Sequence, residues 1–249
     1  KVLVHTEQFD NGIVAFPMKK ELPEELEYTY LFKVDNREYF LWNKELSEDS
    51  IPNGYSYVEE RSIRKESKGP CEEVFAATTA KHLSDWYRDT CFCGRCGTKM
   101  VPHDKERAMS CPSCGYIAYP RIMPAVIVGV KNGDKLLLTK YRTGFAHNAL
   151  IAGFTEIGET AEETVMREVM EEAGIKVKNI HYYKSQPWGT ANDLLLGFYC
   201  EVDGDDTITM DRHELKYAEW VQREEIVLQP GNFSLTNEMM RRFKEGYEV

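Results

Sequence analysis

The 249 residues contain no run approaching the roughly 18 consecutive apolar residues that a membrane-spanning helix needs. The first residues, Lys1 to His5, meet the acidic Glu7 and Asp10 at once, so no export signal is read there and no membrane partner is expected. Low-complexity and uniformly polar stretches are missing as well, which leaves no segment with the composition of a disordered tail. No internal repeat is visible. Positive charge is short: 31 Lys and Arg face 41 Asp and Glu, and the net charge of −10 disfavours nonspecific binding to long nucleic acid. A phosphate substrate is still admitted, because divalent cations can stand between an acidic site and a diphosphate. Histidine is sparse, six scattered residues, and no Ser-His-Asp or Cys-His arrangement is evident, so no covalent intermediate is expected.

What is present is apolar material for ordinary cores, 42% hydrophobic with 12% aromatic residues. More than one folding unit is expected at this length, since single cores run to roughly 100 to 200 residues. Strand-like runs are read at residues 12–18, and at Tyr28–Val34 and Arg37–Trp42 around the turn Asp35-Asn36. The polar stretch 61–70 reads as a linker or exposed loop. Residues 72–88 read as a helix, with Leu83, Trp86 and Tyr87 forming an apolar stripe suited to packing. Strands are expected at 125–130 and 135–139 around the hairpin turn Asn132-Gly133-Asp134, and at 194–200. Helices are expected over Ala161–Ala173 and 236–244.

Seven cysteines might suggest a disulfide scaffold, but four form two copies of one device, Cys93-Gly94-Arg95-Cys96-Gly97 and Cys111-Pro112-Ser113-Cys114-Gly115. Two residues between cysteines let a tight knuckle aim both thiolates at one tetrahedral ion, and the following glycine permits the turn. Four sulfur ligands leave no open position, so the site is expected to hold a structural Zn²⁺ in a segment too small to bury its own core. Cys91 is an out-of-register alternative, although only Cys93 repeats the full knuckle, and Cys71 and Cys200 read as ordinary thiols. This cysteine usage suits a reducing compartment, and the cytoplasm is expected. A zinc ribbon can also bind nucleic acid, but the loop 103–107 is mixed in charge.

The stretch from Gly153 to Ile175 carries the most chemistry. Thr160 with Glu163 three residues on forms a capping box, and Gly174 sits where a left-handed residue ends a helix. Glu168, Glu171 and Glu172 fall at i, i+3 and i+4, so three carboxylates share one face, while Val165, Val169, Met166 and Met170 supply packing elsewhere. Such crowding is repulsive unless a cation sits among the carboxylates, which points to a hard-metal site for Mg²⁺ or Mn²⁺. Arg167 is within reach of Glu163, Glu159 or Glu171. Taken alone, a Glu-rich face is as readily a solvated surface. The stretch, however, fits G-x5-E-x7-R-E-U-x-E-E-x-G-U at all nine defined positions, with Val169 and Ile175 as the bulky apolar ones. It resembles the signature box of the Nudix hydrolases.

The resemblance implies an α/β/α sandwich with a mixed sheet, binding divalent ions that assist hydrolysis of a nucleoside diphosphate linked to another group. By position it implies Glu168 and Glu172 as primary metal ligands, Glu171 and Glu159 as supports for metal or water, and the Ala152 carbonyl as a further ligand. From about Phe75 onward the chain is similar to the NADH pyrophosphatase family, in the helix 80–88, the cysteine knuckles, Tyr119-Pro120-Arg121, Ile151-Ala152-Gly153-Phe154 and Ser185-Gln186-Pro187-Trp188. That resemblance divides the chain into a smaller α+β domain at 1–90, a zinc ribbon at 91–119 and a Nudix domain at 120–249. It implies base stacking by Tyr119 and Phe154, a downstream metal-site carboxylate at Glu214 and a substrate contact at Glu106. The loop Gln186-Pro187-Trp188-Gly189-Thr190-Ala191-Asn192-Asp193 would line the substrate pocket. Here it departs from the family's S-Q-P-W-P-F-P-x-S, with Asp193 in place of the serine. Diphosphate hydrolysis of NADH or NAD⁺ is therefore the expected function, with ADP-ribose, other dinucleotides or NAD caps on RNA as alternatives. The family's habit implies a homodimer. Two rivals remain: an RNA-binding module built on the ribbon, and a silent Nudix module that senses a ligand.

Overall fold

The computed structural model describes residues 1–42, 45–66, 69–143, 147–231 and 233–247. It divides into two compact units, Lys1–Arg121 with Trp188–Asn192, and Ile122–Pro187 with Asp193–Val249.

The first unit opens with β1 (Val2–His5) and α1 (Thr6–Asp10), followed by β2 (Tyr28–Val34), β3 (Arg37–Trp42), β4 (Tyr55–Val58), α2 (Glu60–Glu66) and α3 (Cys71–Asp89). β1 pairs antiparallel with β4, and β2 forms a hairpin with β3 through Asp35, which takes a positive φ. Two expectations need correction. Residues 12–18 form no strand: among the described residues Ile13 makes an isolated bridge to Gly69 while the Ala15 carbonyl accepts from the His5 amide of β1, so the contacts are split between two neighbours and form no ladder. The supposed linker at 61–70 contains α2, held by the fully buried Ile63, while Ser67 and Lys68 lie outside the described residues. Of the stripe on α3, Trp86 is buried and Leu83 and Tyr87 are half-buried. The cysteine segment adds three two-residue strands, β5 (Val101–Pro102), β6 (Met109–Ser110) and β7 (Ile117–Ala118), in one antiparallel sheet. Its small core is Trp86, Cys93, Met100, Met109 and Cys111.

The second unit is built on a six-stranded sheet: β8 (Met123–Asn132), β9 (Lys135–Tyr141), β10 (Ile151–Phe154), β11 (Val177–Trp188), β12 (Asp193–Val202) and β13 (Leu215–Gln222). The strand order is β11-β12-β8-β9-β13, with β10 on β8. β12 runs parallel to β8 and the other registered pairs are antiparallel, so the sheet is mixed. The far end of β8, Lys131 and Asn132, pairs with β9, whereas its first half pairs with β10 along the same edge.

Alternation along β8 sorts its side chains between two faces. Val126, Val128 and Val130 join Phe198 and Cys200 of β12 and Val165, Val169 and Ala173 of α4 (Ala161–Ala173) in one core. On the other face Tyr199 donates its hydroxyl to the Met239 carbonyl of α5 (Leu235–Lys244) at 2.7 Å. The near-continuous apolar runs of β8 and β12 follow from burial on both faces. The architecture is an α/β/α sandwich with a mixed sheet, as expected. Among the described residues, no helix is long and apolar enough to cross a membrane.

Candidate active site

Helix α4 begins and ends where its local residues dictate. The Thr160 hydroxyl accepts from the Glu163 amide, the Glu163 carboxylate accepts from the Thr160 amide, and Gly174 takes the left-handed conformation at φ 70°. Burying Val165 and Val169 against β8 turns Glu168 and Glu172 inward with them, to 9% and 2% exposure. Met166 and Met170 are exposed instead of packing, since they lie on the helix face turned away from the sheet.

Strand β10 supplies the opposing wall. Gly153 lies directly against the Glu168 carboxyl, so a side chain at this position would have to displace the end of the Glu168 side chain. Arg167 organises the rest. Its guanidinium donates to both oxygens of Glu159 at 2.6 and 2.9 Å, to Glu168 at 2.7 Å, to Glu171 at 3.0 Å and to the Phe154 carbonyl at 2.8 Å. Of the expected partners, Glu163 is engaged in the cap instead. Arg167, with help from the Glu156 amide and Thr164, holds the Glu159 carboxyl down to about 2. Glu171 stays at the rim with its side chain 58% exposed.

Glu172 is the exception in this network. Among the described residues, neither of its oxygens, both buried, has a hydrogen-bond partner. Burial pushes its carboxyl up to about 8, with the charges of Glu168, Glu214 and Asp211 adding to the effect. The nearby Ala152 amide opposes the shift without closing a bond of normal geometry. Glu168 is raised too, first by burial, although Arg167 counteracts it. Unpaired buried carboxylates are costly, and oxygen-only donors around them suit a hard divalent cation. The donor atoms are not drawn tightly together, however. Among the described residues, the four knuckle cysteines are the only group of three or more potential ligands within 4.8 Å of one another.

Two residues at the site went unread in the sequence, Tyr141 and Asp211. The Tyr141 hydroxyl lies 3.5 Å from the Ala152 carbonyl. Asp211 anchors the segment that carries Glu214: its amide donates to the Glu172 carbonyl at 2.9 Å and its carboxylate accepts from the His213 amide at 2.7 Å. Only the closeness of Asp211 to Glu214 in sequence was available as a signal. Tyr141 offered none.

The remaining candidates divide between the units. In the first, Tyr119 is exposed and donates its hydroxyl to Glu106 at 2.8 Å, so these two residues engage each other. Gly189 packs against the α3 backbone at Thr78, the Ala191 amide donates to the Trp188 carbonyl at 3.2 Å, and Thr190 donates to Glu60 at 3.4 Å. Asn192 has positive φ and a buried amide oxygen without a partner. In the second unit, Phe154 is exposed and Pro187 lies at the surface. Gln186 uses its amide on the chain itself, donating to the Phe233 carbonyl at 3.1 Å and accepting from the Leu235 amide at 2.7 Å. Asp193 is buried with one oxygen unpartnered, and burial raises its carboxyl to about 6. A cleft of about 690 Å³ beside Lys131, Arg223 and Phe243 contains none of the site carboxylates.

The cysteine knuckles repeat one geometry. Gly97 donates to the Cys93 carbonyl at 2.8 Å and Gly115 to the Cys111 carbonyl at 3.0 Å, both glycines at φ 72°. The Cys93–Cys114 and Cys96–Cys111 sulfurs stand 3.6 and 3.5 Å apart, close to the ~3.8 Å edge of a tetrahedron with Zn–S bonds of ~2.3 Å. Hydrogen bonding within the cluster lowers Cys96, first through Thr98, and lowers Cys111, whereas Cys114 is raised, so the thiols share their protons unevenly. The four cysteines fit a structural zinc. Cys91 is not in the cluster.

Comparison with known proteins agrees with this geometry. Residues 121–243 match the NUDIX domain, and residues 88–119 match the NADH pyrophosphatase zinc ribbon domain. The chain is similar to the NAD-capped RNA hydrolase NudC of Shigella flexneri, 44% identical over 151 residues, covering 59% of this chain and 58% of that protein. The corresponding protein of Escherichia coli O9:H4 is 43% identical over the same shares. This chain thus spans about 58% of the length of the curated relatives it matches. Among solved structures, a NUDIX hydrolase from Nitrosomonas europaea shares the fold with a TM-score of 0.55 at 23% identity, covering 63% of this chain and 91% of that one. With the ribbon match ending at 119 and the NUDIX match beginning at 121, the two modules follow each other directly, and the chain carries an NADH pyrophosphatase zinc ribbon domain followed by a Nudix domain.

Proposed function

We propose that this protein hydrolyses the diphosphate bond of NADH or NAD⁺, releasing NMNH or NMN together with AMP. The observation that carries the reading is the pair of inward-facing carboxylates on α4, of which Glu172 is buried and has no hydrogen-bond partner among the described residues. Glu168, Glu172, Glu214 and the Ala152 carbonyl are the residues that would hold Mg²⁺ or Mn²⁺. When bound, the cation neutralises charge on the diphosphate oxygens and on the leaving phosphate. The chain supplies the rest. Arg167 fixes the direction of Glu168, Glu159 ties the loop before α4 to Arg167, and Glu171 at the rim orients the attacking water. Phe154, in the same unit as the carboxylates, offers an exposed ring for stacking on a base. Zinc in the ribbon is structural in this reading, and the protein works as a cytoplasmic homodimer.

A second substrate is favoured by a specific observation, since the similar proteins are named NAD-capped RNA hydrolases. A capped 5′ end presents the same diphosphate, so the same carboxylates would serve. The altered loop after Trp188 keeps ADP-ribose and other dinucleotides as competitors.

The test is a product assay with Mg²⁺ or Mn²⁺ across NADH, NAD⁺, ADP-ribose, diadenosine polyphosphates and NAD-capped RNA. Glu172→Gln is expected to lower turnover by at least about two orders of magnitude, with zinc content unchanged. Near-normal kcat in that variant, or no cleavage of any of these substrates by the parent protein, would sink the proposal.

A further inference from the structure

Tyr141 closes β9 beside the carboxylate site. It is half-buried, it pairs in register with Leu215 of β13, and the neighbouring Arg142 amide donates to the Glu214 carbonyl at 2.9 Å. The end of β9 is thereby fastened next to Glu214. The Tyr141 hydroxyl points at the Ala152 carbonyl, 3.5 Å away. The hydroxyl thus brings a single O–H donor to the edge of the acidic cluster. Arg167 serves Glu159, Glu168 and Glu171 but leaves Glu172 bare.

We propose that Tyr141 is a positioning residue of this site: its O–H fixes the Ala152 carbonyl so that this oxygen and the bare Glu172 carboxylate converge on one divalent cation. The inference rests on the reading of Glu172 given above. A tyrosine suits the task because its single O–H can be given to the carbonyl without adding charge to an already acidic cluster. Arginine or lysine in the same place would compete with the cation.

The test uses the full chain with zinc in its ribbon. Mn²⁺ affinity is measured by calorimetry for the parent, Tyr141→Phe and Glu172→Gln, and turnover is followed in parallel. Loss of one hydrogen-bond donor is expected to weaken Mn²⁺ binding in Tyr141→Phe by roughly three- to tenfold. The Mn²⁺ concentration for half-maximal turnover should rise in step, while KM for the dinucleotide stays in place. If Tyr141→Phe is less stable, the Mn²⁺-dependent rise in its melting temperature gives the affinity against its own metal-free baseline. Unchanged Mn²⁺ affinity in Tyr141→Phe, with a large loss in Glu172→Gln, overturns the role of Tyr141 and leaves the site reading intact. Unchanged affinity in both variants removes the carboxylate site and this proposal together.

Discussion

At the residue scale, the buried Glu172 is expected to couple stability to pH. Its folded carboxyl lies near 8 against an ordinary 4.5, so the protonated form stabilises the fold. That contribution is complete below about 4.5 and is lost as pH rises through about 8. Without added divalent cation, denaturant unfolding should show stability falling over this window by up to roughly 4 kcal/mol. Glu172→Gln should flatten that dependence. A slope unchanged by the substitution would place the titrating group elsewhere. Gly153→Ala is the companion test: the added methyl displaces the Glu168 carboxyl, so metal-dependent turnover should collapse, and overpacking should cost about 1 to 3 kcal/mol. The box glutamates were legible because their spacing is fixed by one helix. Tyr141 was not, because it reaches the site from another strand and only the folded sheet brings it there.

At the element scale, α4 was legible to the residue because its signals are local. The capping box and the left-handed Gly174 set both ends. Thr160→Ala removes the hydroxyl that accepts from the Glu163 amide and should destabilise the protein by about 1 kcal/mol, read as a shift of the denaturation midpoint. No shift would mean that packing alone sets the helix start. Strand β11 went unread for the opposite reason. At the edge of the sheet its residues are largely polar and half-exposed, so neither an apolar run nor clean alternation marks it. Residues 12–18 erred the other way: they have the composition of a strand but, among the described residues, meet a single bridge partner. Met166 and Met170 show that apolar character within a helix does not decide which residues are buried; the sheet decides it.

At the scale of the whole molecule, the ribbon and the sandwich are stabilised by different means. The ribbon's core is a handful of side chains that includes two of its own cysteines and Trp86. Stripping zinc with a chelator should therefore disorder the ribbon and red-shift Trp86 emission, a change absent in Trp86→Phe. An emission spectrum that ignores the chelator would argue against zinc as the ribbon's support. The division into units was also beyond the sequence: residues 188–192 belong with the first unit although the strand leading into them belongs to the second.

The sequence by itself determined the features that depend on short spacing: the two cysteine knuckles, the capped carboxylate helix, the main hairpin turns and, through them, the zinc ribbon and the Nudix domain. Their geometry is closed within a few residues, so composition and spacing suffice. Only the tertiary structure decided which carboxylates are buried, which of them Arg167 neutralises, and that Glu172 stands bare beside Tyr141. It also decided that Gln186 is spent on the start of α5. These outcomes depend on which strands lie side by side, and burial and electrostatics are properties of that neighbourhood and not of the local chain.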